Sequence, residues 1–429
     1  MDTLELANEG GGRQPGRAGS NNCDVGAGAA GLATAAFIGQ LKSVQNVTLL
    51  DSAAKPGAKI LISGGSRCNV TNVSISELDF WGGHRTAVRR ILRALPVADT
   101  VEFFNRIGVH LHEEADGKLF PTSNRARDVL SALLGEVARV GVVLRSGWQV
   151  LDITRIGNHF HLTTNRGLVN TARVVLATGG RSLPKSGSDG RGYALAAGLG
   201  HSLVTTTPGL APLVFETNGK EPPQLSGVAH AAELTLWVDG KATSRLGGQL
   251  LWTHFGISGP VALNMSRHWA RARLSDGAVR LTLNCCPGMT FDQVDERLLT
   301  LVRERPRAAI ATLLSSFLPA AIGAALAQRL AIDAATVASQ LTRDARRQLA
   351  HALVEWPLPV ADTRGYTYAE VTAGGVSLDE IDPSTMESRV CPGLHLVGEI
   401  LDVDGRIGGF NFQWAWSTAY VAARGLTAG

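Results

Sequence analysis

Between residues 23 and 51 the chain runs through a glycine turn, an alanine-rich stretch and a β-branched segment. The alanine-rich part, Gly31 to Leu41, is predicted to be helical, and Val47-Thr-Leu-Leu-Asp51 reads as a strand. The order is that of a βαβ unit. The strand feeding the turn is short: only Cys23, Asp24 and Val25 separate a polar lead from Gly26, where about five residues are usual. Either this strand is truncated, or part of Ser20 to Asn22 is recruited into it despite poor propensity.

Val142 to Val150, Ile153 to Thr163 and Arg173 to Leu176 read as further short strands, the last ending in Ala177-Thr-Gly-Gly180. From about residue 200 to 290 strand-like segments alternate with turns. Glu233-Leu-Thr-Leu-Trp-Val238 followed by Asp239-Gly240 is the clearest hairpin signal. Helical periodicity then takes over from 291 to 355, with Val294, Leu298, Leu301 and Val302 on one face and Leu341, Leu349 and Leu353 later. Leu394 to Val397 reads as a buried strand and Asn411 to Arg424 as a closing helix. These changes divide the chain into a disordered lead (1–22), an α/β part (23–197), an antiparallel insert (198–290), a helical insert (291–357) and a second α/β part (358–429). The two α/β parts should meet in space.

One uncharged run, Ala308 to Ala327, is long enough to cross a bilayer. Ser315, Ser316 and Pro319 interrupt it and alanine dilutes it, so two packed helices are expected instead of a membrane span.

Composition sharpens this picture in three ways. Glycine, at 49 of 429 residues, is abundant and charged residues, at 18%, are sparse, as suits a well-buried protein with many turns. A net charge of +4 spread over the whole chain is far from the dense basic footprint of a nucleic-acid binder. Arg85, Arg89, Arg90 and Arg93 have helical spacing and read as a solvated face. Cys23, Cys68, Cys285, Cys286 and Cys391 are odd in number and form no C-x-x-C, which indicates neither a disulfide framework nor a zinc site and points to a reducing compartment, the cytoplasm.

The candidate chemistry sits in the glycine-rich blocks. Gly26-Ala-Gly28-Ala29-Ala30-Gly31 is a G-x-G-x-x-G after an extended segment and before a helix, where backbone N–H groups can approach a pyrophosphate at the positive helix end. Asp51, twenty residues beyond Gly31, is placed to accept hydrogen bonds from a ribose. A second block, Lys59-Ile-Leu-Ile-Ser63-Gly64-Gly65-Ser66-Arg67-Cys68-Asn69-Val-Thr-Asn72, offers backbone donors, a cation and amides within a short span. Cys68 reads as a redox thiol or, without a resolving partner nearby, as packing.

These blocks, with Pro184-Lys-Ser-Gly187, Thr253-His-Phe-Gly-Ile-Ser-Gly-Pro260, Val371-Thr-Ala-Gly-Gly-Val376, Gly398-Glu-Ile-Leu-Asp-Val-Asp-Gly405 and Gly408-Gly-Phe-Asn-Phe-Gln-Trp-Ala415, resemble the BaiN-like family of NAD(P)/FAD-dependent oxidoreductases. The resemblance runs in order from residue 23 to the C-terminus. It implies an α/β fold: a Rossmann-like, glutathione-reductase-like FAD domain split by an inserted β-barrel and a helical subdomain. By the same resemblance Gly26, Gly28, Ala29, Ala30 and Gly31 hold the FAD pyrophosphate and Asp51 the ribose. Lys59, Ser63, Gly64, Gly65, Arg67, Cys68 and Asn69 lie toward the flavin. Val150, Thr178, Gly179, Gly180, Gly398, Glu399, Asp404, Gly409 and Asn411 complete the cofactor set. The implied activity is hydride transfer from NAD(P)H through FAD to an activated C=C bond of a hydrophobic small molecule, with no metal, nucleic acid or membrane as partner.

The last block carries a physical role of its own: Gly408-Gly409 opens a helix whose first N–H groups can stabilise negative charge on a reduced flavin, with Asn411 and Gln413 as amide donors. Trp414 and Trp416 read as core. His254 is a candidate for substrate contact or proton donation, with a structural histidine in a barrel turn as its rival. The alternative function is a non-catalytic flavoprotein-fold binding protein, for which the short first strand argues.

Overall fold

The computed structural model describes residues 19–41, 46–216, 225–275 and 277–428. The question of the first strand is resolved by recruitment: β1 spans Gly19–Val25. Its backbone pairs in parallel on both sides, with Val47–Leu50 across one edge and Asn170–Leu176 across the other. Ladder partners on two sides override the low strand propensity of Ser and Asn. The expected lead therefore ends before Gly19, and its residues 1–18 lie outside the described ones.

β1 is central to a sheet completed by β2 (Val47–Asp51), β3 (Val143–Ser146), β4 (Val150–Ile156), β5 (His159–Thr164), β6 (Gly167–Leu176) and β7 (Leu394–Leu396). The order is β3-β2-β1-β6-β5-β4. β6 is shared lengthwise: Gly167–Thr171 pairs antiparallel with β5, while Val174–Leu176 pairs parallel with β7. A strand from the last part of the chain thus closes a sheet begun by the first.

Four helices matter for the site: α1 (Ala29–Leu41), α2 (Ala58–Ser66), α3 (Pro260–Ala272) and α4 (Phe410–Ala428). α1 is buried nearly all round, and its small alanines let α4 lie close against it, with Phe37 meeting Tyr420 edge-on at 5.4 Å. Trp414 and Trp416 are core, as their neighbours suggest, and they also fasten loops: their indole N–H groups donate to the carbonyls of Gly398 and Val70.

The insert has its own hydrophobic core, around Leu234, Leu250, Trp252, Met265, Leu283 and Leu353. Its seven-stranded antiparallel sheet begins at Trp356–Leu358 and ends at Val360–Thr363. Those two edge strands are separated only by Pro359, so the sheet must curl until its edges meet. The hairpin is at Asp239-Gly240, both left-handed, the backbone a tight two-residue turn requires. The uncharged run folds as two helices, Ile310–Leu314 and Ala320–Arg329. Among the described residues no helix is long and apolar enough to cross a membrane. All five cysteines are buried and unpaired.

Candidate active site

The G-x-G-x-x-G turn joins β1 to α1 in a way that only glycine allows. Gly26 has φ +105°, and a Cβ there would lie 2.5 Å from the Ala177 carbonyl oxygen. A Cβ on Gly31 would lie 1.8 Å from the Gly26 carbonyl oxygen, so the helix can start only where it does if both are bare. Gly28 faces open space. Asp51, at the end of β2, accepts hydrogen bonds from the N–H of Ala27 (2.6 Å) and of Ala53 (2.8 Å). Burial pushes its carboxyl pKa up, and the two N–H donors pull it back.

α2 breaks down within its own span. Ser63 turns extended, and Gly64 (φ +53°) and Gly65 (φ +68°) follow in the left-handed region, folding the chain back on itself until the Cys68 N–H reaches the Ser63 carbonyl. The loop walls a cavity of about 720 Å³ together with the first turn. Gly26, Gly28, Ala29, Ala30 and Asp51 line it from one side; Lys59, Ser63, Gly64, Gly65, Arg67 and Asn69 line it from the loop. Val150, Thr178, Gly179, Glu399, Gly409 and Asn411 complete the wall.

Five sequence candidates do not line it. Gly31 and Gly180 are packing positions: a Cβ on Gly180 would strike the Thr372 hydroxyl at 2.4 Å. Gly398 lies behind the wall, giving its carbonyl to Trp414. Cys68 is fully buried and burial pushes its thiol pKa up to about 12, which favours packing over a redox role. Asp404 is buried in an ion pair with Arg267 of α3, at 2.5 and 2.8 Å. Desolvation pushes the Asp404 carboxyl pKa up and Arg267 opposes that shift.

The expected amide donors are also committed elsewhere. Gln413 bonds Thr71, Thr100 and the Leu95 carbonyl in the core, and the Asn411 amide closes on both the N–H and C=O of Gly405. His254 is exposed beside Phe255 and does not line the cavity.

Lys59 and Glu399 hold the two ends of the chain together: the lysine donates to the Glu399 carboxylate and to Ser182 Oγ. Glu399 also accepts from Ser182 Oγ (2.7 Å) and the Thr372 N–H (2.8 Å). Sequence reasoning missed Trp148, Gln149, Ser188, Tyr368 and Glu370 on the same wall. The aromatic and polar run Arg364-Gly-Tyr-Thr-Tyr-Ala-Glu370 before Val371 was the available signal for the last two.

The insert is clamped to this wall by α3. Besides the Arg267–Asp404 pair, Asn264 accepts the Ile407 N–H (2.9 Å) and Arg271 donates to the Thr205 carbonyl (2.6 Å). Trp81 lies under the Arg267 guanidinium at 4.7 Å. Arg267→Lys keeps the charge but loses the two-pronged fork. It is expected to cost about 2 kcal/mol, the worth of a charged hydrogen bond, read as a lower unfolding midpoint in urea.

The residues fit a dinucleotide cofactor on two counts. Gly28 and Gly65 are open cradles that a side chain would fill. Asn69 Oδ1, Thr178 Oγ1 and Ser188 Oγ are buried polar atoms of the cavity wall with no protein partner, a costly state unless a ligand or water satisfies them.

Comparison with known proteins agrees. The family model described as HI0933-like protein Rossmann domain matches residues 22–425. A ribosomal RNA dihydrouridine synthase of Escherichia coli is 33% identical over 94% of this chain and 97% of its own length. A 3-dehydro-bile acid delta(4,6)-reductase of Clostridium scindens is 31% identical over 93% and 97%. Among solved structures, the quinol fumarate reductase subunit FrdA of E. coli superposes with a TM-score of 0.50 at 17% identity, covering 96% of this chain and 70% of that one, a likeness of fold. With a family match over nearly its whole length and relatives above 30% identity, the chain belongs to the HI0933-like Rossmann family, a flavoprotein oxidoreductase family.

Proposed function

We propose that the protein binds FAD in this cavity and uses it, with a nicotinamide nucleotide as electron donor, to saturate a C=C bond conjugated to a carbonyl. The observation that carries this reading is the convergence of the Gly26–Gly28 turn, Asp51, the Ser63–Asn69 loop and the Gly409 helix start on one cavity with unpartnered polar atoms. When bound, FAD supplies the hydride chemistry, and the protein orients and tunes it. The turn before α1 holds the pyrophosphate at the helix N-terminus. Asp51 would hold the ribose, and the first N–H groups of α4 would favour negative charge on the flavin.

The bond type is supported by what the two relatives are named for. Making dihydrouridine saturates a ring C=C next to a carbonyl, and a Δ4 bond beside a 3-oxo group is conjugated in the same way. The mild net charge, without a dense basic footprint, favours a small molecule over RNA as substrate. The 33% relative favours a second reading, a uracil ring within RNA. The two differ in salt dependence, since RNA binding weakens steeply with added salt.

The test is anaerobic addition of NADH and then NADPH to FAD-loaded protein, followed at the flavin band. Bleaching by one of them, then reoxidation by a 3-oxo-Δ4 steroid or by unmodified ribosomal RNA, is the expected result. A preparation that takes up no FAD would sink the proposal and leave the binding-protein alternative.

A further inference from the structure

We infer that Glu370 is the catalytic acid of this site, delivering a proton to the substrate carbon next to the carbonyl; the inference rests on the reductase reading above. Saturating a conjugated C=C needs more than a hydride. The hydride, from the reduced flavin, forms a C–H bond at the carbon remote from the carbonyl and breaks the π bond, leaving the electron pair as an enolate. A proton must then reach the carbon next to the carbonyl, and the carboxylate left behind is reprotonated from solvent.

The titratable side chains of the cavity wall can be sorted by what already engages them. Asp51 holds two backbone N–H groups. Lys59 and Glu399 hold each other. Arg67 is paired with Glu114, Lys118 with Asp116 and Arg191 with Asp189. That leaves Tyr368, whose ring is covered by the Arg364 guanidinium at 3.5 Å, and Glu370.

Glu370 is anchored only by its backbone: its N–H donates to the Leu210 carbonyl and its own carbonyl accepts from Ser182 Oγ. Its carboxyl makes no hydrogen bond or ion pair among the described residues and is open to the cavity. It stands at the start of strand Val371–Val376, beside Thr367, Tyr368 and Leu210, where the insert joins the nucleotide-binding part.

Glu399 and Glu370 therefore form a pair of carboxyls with opposed surroundings. Glu399 is held by three donors, Lys59, the Ser182 hydroxyl and the Thr372 N–H. Glu370 has no such donor and is exposed along the cavity wall; desolvation raises its carboxyl pKa and Lys59 opposes that shift.

The experiment compares wild type with Glu370→Gln, using a 3-oxo-Δ4 steroid and unmodified ribosomal RNA as probes in D₂O. The variant is expected to keep its FAD content, its melting temperature and the rate of flavin bleaching by nicotinamide. Formation of saturated product should fall about 100-fold or more, with loss of the alkaline limb of the wild-type pH profile, and Glu370→Asp should restore part of it. Wild-type product should carry deuterium at the carbon next to the carbonyl. Unchanged product formation in Glu370→Gln overturns the assignment alone. Loss of FAD in step with activity overturns it too, by making Glu370 a cofactor ligand. If wild type bleaches with nicotinamide yet saturates neither probe, the reductase reading fails and the assignment falls with it.

Discussion

Gly31→Ala is expected to unfold the nucleotide turn and abolish flavin retention. The added methyl carbon would lie 1.8 Å from the Gly26 carbonyl oxygen and 3.2 Å from the Ala177 side chain. The obstruction is backbone that is itself pinned: the Gly26 N–H donates to the Leu50 carbonyl and the Ala177 N–H to that of Val25. Relief must come from moving α1 or opening the β1–β6 ladder. The cost is about 3 kcal/mol or more, and the variant should elute colourless. Gly28→Ala is the control: its Cβ meets no protein atom within 4 Å, so it should fold with near-normal stability while competing with the pyrophosphate for space. A coloured, stable Gly31→Ala protein would show that the turn adapts.

The second large effect runs the other way: Asp24→Val should stabilise the protein. Asp24 lies in β1, fully buried, and neither carboxyl oxygen has a partner. Burial raises its pKa from 3.8 to about 8, so the folded protein carries this group protonated at neutral pH. The folded state then holds a proton that the unfolded chain releases above about pH 4. Stability is fully present below that value and is lost as pH rises from about 4 to about 8, on the order of 4 kcal/mol at pH 7. Asp24→Val removes both the penalty and the slope. The measurement is urea unfolding from pH 5 to 8.5: the wild-type midpoint should fall with pH more steeply than that of the variant. Equal slopes would mean that Asp24 finds a partner in solution.

The parts of the fold that were legible in the sequence share a cause. The Asp239-Gly240 hairpin, the glycine blocks and the helices at 310–314 and 320–329 are fixed by local backbone chemistry, which a few neighbouring residues announce. What was not legible depends on partners far along the chain. Gln413 looks like an amide donor at the mouth of a helix, yet its bonds to Thr71 and Thr100 turn it inward. Asp404 looks like part of an acidic cofactor motif, and its partner is Arg267, 137 residues earlier in an insert with a different core. Ser20 to Asn22 read as a polar lead because strand propensity ignores the parallel partners that wait for them, one strand at Ser20 and two at Asn22. Cys68 and Asn69 are adjacent in one motif, yet Asn69 lines the cavity while Cys68 is packed behind it.

The interleaving of β7 and α4 with the N-terminal sheet sets an order of events on the ribosome. β1, α1 and β2 emerge well ahead of α4, with α1 apolar on nearly every side, and α4 is the helix that packs along it. At about 5–20 residues per second, the roughly 390 residues between the end of α1 and the end of α4 take some twenty seconds or longer to make. Through that interval α1 can pack on Phe103 and on the helix Ala126–Arg139, while the face that meets α4 stays open. The insert, whose core is contiguous between about residues 213 and 358, can fold meanwhile. The α/β part that is begun first is thus finished only after the insert has been made and α4 has emerged.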